Sequence, residues 1–151
     1  MAARSKSSLV PSARILLVDD NRAGLMARST VLQELGYATD GAPDARKALE
    51  MFRSGTYDLV VTDYKMPETN GVELIVQLRA EKPQTPVVLI SGFVDALGLT
   101  EKNTGANVVI MKSANEVQHL IRAANRLLKI PRKPMTEERP ALRVRTRKAG
   151  S

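Results

Sequence analysis

LVVTDYKMPETNG, residues 59–71, is the stretch on which the fold turns. It opens on a short, continuous apolar run, Leu59-Val60-Val61, of the kind that suits a strand covered on both faces of a parallel sheet. The run leads through Thr62 to Asp63 and then into loop residues that include Met66-Pro67. Asn70 and Glu73, spaced as a capping box, then open a helix that carries Val72, Ile75 and Leu78 on its apolar side.

The same unit recurs on both sides of this stretch. Runs at 15–18, 87–90 and 108–111 repeat the apolar pattern, and a weaker strand lies around 37–39. Amphipathic helices fall between them. Ala45, Ala48, Leu49 and Phe52 recur at i, i+3, i+4 and i+7, with Pro43 placed to open that helix and Gly55 to close it. Val117, Leu120, Ile121, Ala124 and Leu128 form a second stripe, and Leu25, Leu32 and Leu35 mark a first helix that Gly36 ends. The stretch 93–104 is the least periodic. Strand–helix alternation of this kind predicts a doubly wound α/β domain with a parallel sheet and right-handed crossovers.

Each run ends in a residue able to do chemistry. The first ends in Asp19-Asp20, the second in Asp63, the third in Ser91 and the last in Lys112. In an open parallel sheet the carboxyl ends of the strands share one edge, where ligands bind. Each residue alone has an ordinary explanation. An Asp at a strand end is most often a turn or helix cap, Ser91-Gly92 is a turn, and Lys112 is a solvated charge. Their joint placement after four successive runs is what carries weight.

Three close carboxylates repel, and one would stay protonated unless a cation relieved them. An all-oxygen set suits Mg²⁺ or Mn²⁺, with a phosphate as a further ligand. A lysine and a hydroxyl opposite the metal suit phosphoryl oxygens, and one carboxylate is left as nucleophile. Asp63 is the candidate, because Asp19 and Asp20 form an adjacent metal-holding pair.

The chain has 151 residues, 43% hydrophobic and 26% charged, which fits one soluble domain with short tails. We place a disordered tail at 1–13, the domain at 14–130 and a basic, proline-containing tail at 131–151. The net charge of +7 sits in those tails, since 14–129 holds 14 Lys/Arg and 14 Asp/Glu. The domain is therefore no basic nucleic-acid surface, and the tail lacks the interleaved aromatics of a reader. No run approaches the roughly 20 apolar residues of a membrane span, and no secretory h-region is present, so a cytoplasmic setting is expected. Without cysteine there is no disulfide, thiolate nucleophile or Cys-based zinc site. Neither G-x-G-x-x-G nor a Walker A pattern occurs, which disfavours a dinucleotide enzyme. His119, the only histidine, reads as a surface or boundary residue of the last helix.

With these residues in place, the segment from 14 to about 129 resembles the receiver domain of two-component response regulators. The resemblance rests on ILLVDDN at 15–21, LVVTDYKMPETNG at 59–71, VVLISG at 87–92 and GANVVIMK at 105–112. It implies a flavodoxin-like sheet of five parallel strands in the order 2-1-3-4-5, flanked by five helices. It further implies phosphorylation of Asp63 by a phosphohistidine on a sensor histidine kinase or phosphotransfer protein. Metal ligation would come from Asp20, Asp63 and the backbone carbonyl of Lys65, with Asp19 acting largely through water. Ser91 would bond the phosphoryl group and Lys112 would pair with it. Such a protein is a phosphoacceptor that assists its own phosphorylation and dephosphorylation, and is not an enzyme in the usual sense.

Two departures from the family bear on signalling. The usual Lys-Pro after the fifth strand is Lys112-Ser113, whose peptide bond should be trans, since cis costs about 3 kcal/mol without proline. The aromatic switch residue expected three before the lysine is Val109, so activation should instead reshape 93–104. Lys65 and Phe93 occupy positions that shape water access to the acyl phosphate, and bulky Phe93 is expected to slow its hydrolysis. The C-terminal tail is too short for an output domain, so output is expected through a downstream protein or through homodimerisation across the last helix and its neighbouring strand. A phosphorylation-independent interaction module is the alternative. An aspartyl-phosphate hydrolase is disfavoured because Lys65 stands where those enzymes need a second acid.

Overall fold

The computed structural model describes residues 13–128, and apart from Ala13 the two tails lie outside them. Ala13 is buried and its carbonyl accepts from the Ala38 N–H at 2.9 Å, so the described fold begins with it. Five strands, β1 (Arg14–Val18), β2 (Ala38–Ala42), β3 (Leu59–Asp63), β4 (Val87–Ser91) and β5 (Val108–Met111), form one sheet. All pairings are parallel and the order is β2-β1-β3-β4-β5, the doubly wound, flavodoxin-like arrangement expected. Between and after the strands lie α1 (Arg22–Glu34), α2 (Ala45–Ser54), α3 (Gly71–Glu81), α4 (Val94–Leu97), α5 (Glu101–Thr104) and α6 (Glu116–Leu128).

Side chains alternate across the sheet with a period of two and feed two cores. On one face Leu16, Val18, Val60, Val87 and Leu89 meet Ala48, Leu49 and Phe52 of α2 and Leu74, Ile75 and Leu78 of α3. On the other, Ile15, Leu17, Leu59, Val61, Val88 and Ile90 meet Leu32 of α1 and Leu120, Ala123 and Ala124 of α6. The three inner strands are covered on both sides, which is why their sequences read as unbroken apolar runs. Each such Leu, Ile or Val contributes about 1.5–3 kcal/mol by leaving water.

Local chemistry sets the helix starts. Asn21, Asp44 and Asn70 each accept a backbone N–H of the first turn, from Gly24, Lys47 and Glu73 respectively. Asn70 and Glu73 form the reciprocal capping box expected of them. Gly71, immediately inside α3, is forced by close approach: a Cβ there would lie 2.5 Å from the Asp63 carbonyl oxygen and 2.7 Å from Leu89.

Among the described residues the expected five helices become six. The stretch between β4 and β5 breaks into two four-residue helices, because Gly98 takes left-handed φ of 62° and Thr100 with Asn103 starts a new capping box. Leu35, expected on the apolar side of α1, is its C-cap and is exposed. No cis peptide bond occurs among the described residues, so Lys112-Ser113 is trans as expected. At the edge of the sheet, the Val109 N–H of β5 donates to Glu101 Oε2 at 3.0 Å.

Candidate functional site

The carboxyl ends of β1, β3, β4 and β5 converge on an open cleft of about 420 Å³ whose lining includes Asp19, Asp20, Asp63, Lys65, Phe93 and Lys112. Asp63 ends β3 and is buried, as is Asp19 just beyond β1, whereas Asp20 is exposed. One carboxylate oxygen from each of the three lies within 4.8 Å of the others. Ser91 ends β4, is buried, and its Oγ accepts from the Phe93 N–H at 2.9 Å. Lys112 follows β5, held by its N–H to the Ser91 carbonyl at 2.9 Å.

Lys112 Nζ stands 2.9 Å from Asp63 Oδ1. The contact is an ion pair without hydrogen-bond alignment, and Oδ1 is otherwise a buried acceptor with no donor. Burial raises the Asp63 carboxyl above its usual range, and the nearby Asp19 charge adds to this. Lys112, and more weakly Arg28, oppose it. A buried oxygen lacking an aligned donor, amid crowded carboxylates, fits a hard divalent cation held by oxygen. The acid cluster is thus suited to metal binding.

The rim is built from the two loops beside Asp63. Glu68 takes a left-handed φ of 69° in the turn that returns the chain from Lys65 to α3. Phe93, 40% exposed, meets Tyr64 edge-on at 6.4 Å, and Lys65 Nζ lies 5.8 Å from its ring centroid. Asp19, Asp20, Asp63, Lys65, Phe93 and Lys112 therefore line the cleft together, and Ser91 adjoins it. Val109 lies half-buried against the α2–α3 core, and His119 is exposed on α6.

Sequence reasoning missed Arg28. It is 5% exposed, its NH1 donates to Asp19 Oδ2 at 2.9 Å, and its Nε donates to Glu116 Oε2 at 3.0 Å. The available signal was a charge at the position between Leu25 and Leu32 where the α1 stripe calls for an apolar residue. Gly24, one turn earlier on that face, makes the approach possible, since a Cβ there would lie 2.7 Å from Asp19 Oδ2. Ser113, which stands where the family has proline, has a structural part of its own. Its Oγ accepts from Asn115 N–H and its carbonyl from Glu116 N–H, so it organises the entry to α6.

Fold and cleft together define a class: a doubly wound α/β domain with an all-carboxylate pocket and one lysine at its strand ends. The chain belongs to the response regulator receiver domain family, whose model matches residues 15–125. It is similar to the two-component response regulator ORR42 of Oryza sativa subsp. japonica, 33% identical over 111 residues, 72% of this chain and 83% of that protein. Among solved structures it is similar to response regulator TrrA of Thermotoga maritima in complex with Mg²⁺-BeF, at 31% identity and a TM-score of 0.69, covering 76% of this chain and 98% of that one. The Francisella response regulator 1452 receiver domain matches at 28% identity and a TM-score of 0.70, covering 78% and 97%. The aerobic respiration control sensor protein ArcB of Escherichia coli is 35% identical over 75 residues, 50% of this chain but only 10% of that protein. No helix among the described residues is long and apolar enough to cross a membrane.

Proposed function

We propose that this receiver domain accepts a phosphoryl group on Asp63 from the phosphohistidine of a sensor histidine kinase or phosphotransfer protein, as a cytoplasmic signalling switch. The observation that carries the reading is the buried Asp63 carboxylate, with two further carboxylates within 4.8 Å and the Lys112 ammonium at 2.9 Å. A carboxylate oxygen of Asp63 forms the bond to phosphorus as the phosphorus–nitrogen bond of the donor breaks. The electron pair leaves with the imidazole nitrogen, and an acyl phosphate results.

This chain's residues supply position and charge. Asp20, Asp63 and the Lys65 carbonyl would hold Mg²⁺ or Mn²⁺, with Asp19 acting through water. When bound, the ion neutralises charge on the phosphoryl oxygens. Lys112, already on Asp63, pairs with a phosphoryl oxygen instead, and the Ser91 hydroxyl donates to another. The TrrA structure, solved with Mg²⁺-BeF, supports the metal reading. Output passes to a downstream protein or to a second copy of the chain.

Incubation with acetyl phosphate and Mg²⁺ should add the mass of one phosphoryl group, and Asp63→Asn should abolish the gain. Wild-type protein that stays unmodified leaves the phosphorylation-independent interaction module as the reading.

A further inference from the structure

Asp19 is the pocket carboxylate whose two oxygens are both already taken. Oδ1 accepts from the Asn21 N–H at 2.9 Å, and Oδ2 accepts from Arg28 at 2.9 Å. Arg28 uses separate donors for Asp19 and Glu116, so one guanidinium joins the acid pocket to the first residue of α6. The pair is deeply buried, with side-chain exposures of 6% and 2%, and Glu116 is only 18% exposed. A buried ion pair adds little stability over apolar packing, and its best-attested use is to hold one arrangement against another. The α1 stripe would accept an apolar residue at 28, and Gly24 keeps the space that lets Asp19 reach the helix.

We infer that Arg28 is a positioning residue, an internal cation that competes with the divalent ion for Asp19 and transmits the ion's arrival to α6 through Glu116. This rests on the metal-assisted reading of Asp63. A divalent ion in the pocket repels the guanidinium and draws on the same carboxylate. The Asp19–Arg28 bond then loosens and Arg28 turns more fully to Glu116. A lysine cannot replace it, because an ammonium lacks the planar fork that spans two carboxylates in fixed geometry.

The test is Mg²⁺ titration of the full chain, followed by calorimetry and by ¹⁵N amide spectra, without any phosphodonor. Arg28→Met should bind Mg²⁺ on the order of tenfold more tightly, since a nearby positive charge is gone. In the wild type, Mg²⁺ should shift the amides of residues 116–119, and in Arg28→Met those shifts should collapse while the shifts at 19–21 and 63–65 persist. Arg28→Lys, which keeps the charge if the methionine variant does not fold, should bind Mg²⁺ much as the wild type does but lose the α6 shifts. Glu116→Gln should weaken Mg²⁺ binding only where Arg28 is present, a non-additivity that a simple charge effect does not produce. Unchanged or weaker Mg²⁺ binding in Arg28→Met, or α6 shifts that survive in Arg28→Lys, overturns the inference and leaves the Asp63 reading standing. A wild-type chain that binds no Mg²⁺ overturns both.

Discussion

At Asp63, burial and the charge of Asp19 act against ionisation, while Lys112 acts for it. Because Lys112 is 41% exposed, water can take over its solvation when the carboxylate is removed. Asp63→Asn should therefore raise metal-free stability, by about 1 kcal/mol, because burial and a neighbouring like charge penalise the ionised carboxylate and a neutral isostere escapes that penalty. Urea melts in chelator at neutral pH test this, and a less stable variant would show that the Lys112 contact dominates. Phe93 is set differently, half out of the cleft between Tyr64 and Lys65. If it limits the approach of water to the acyl phosphate, Phe93→Ala should shorten the phosphoprotein half-life several-fold. An unchanged or longer half-life sinks that role. Asp19, Asp20, Asp63, Ser91 and Lys112 were legible as a set, though not singly, because all of them stand at the ends of runs that had to be strands. Arg28 and Glu116 were not, because 88 positions separate them and no local period registers such a pair.

Elements are tied together at the opposite end of the sheet by polar clamps. Arg79, in the last turn of α3, donates to the carbonyls of Pro83, Thr85 and Gly105 and to Asn107 Oδ1, and Asn107 in turn accepts the Val87 N–H. Arg79→Ala leaves those acceptors to solvent and should cost about 1.5–3 kcal/mol, the range for hydrogen bonds to a charged group. A loss below 1 kcal/mol in chemical denaturation would count against the clamp. On the β2 side, the Tyr57 hydroxyl donates to Asp40 at 2.7 Å. Burial, and then this bond, push its phenol up to about 12. With the folded value raised, its stabilising contribution is complete below the ordinary value of 10 and is lost as pH rises through about 12. A difference absorbance titration against Tyr57→Phe should show that late step, and Asp40→Asn should move it down. Both devices escaped the sequence reading, as did much of β2. As an edge strand, β2 has mostly half-exposed residues and no apolar run to announce it. The stretch 93–104 escaped for the related reason that short helices carry no full stripe, although Thr100 and Asn103 marked the second start.

Across the described domain, the sheet separates two cores, one on each face, and its strand ends deliver the pocket. That plan was readable, since inner strands covered on both faces must be apolar throughout and therefore declare the order of the units. What the periodicity could not convey is the finish of the sheet's margins, where backbone groups face outward. At β5, Glu101 reaches from α5 to take the Val109 N–H. A free edge of this kind is a template on which a second chain can add a strand, and proteins blunt it with charge or cover. The carboxylate serves as such a guard, and the shortness of α4 and α5 makes it the more necessary. Glu101→Ala should leave the domain folded yet raise its tendency to form β-rich aggregates on concentration, measured by light scattering and thioflavin fluorescence. Solubility equal to the wild type would show the edge protected by other means. A residue remote from the proposed phosphoacceptor site would then decide how long the protein stays in solution.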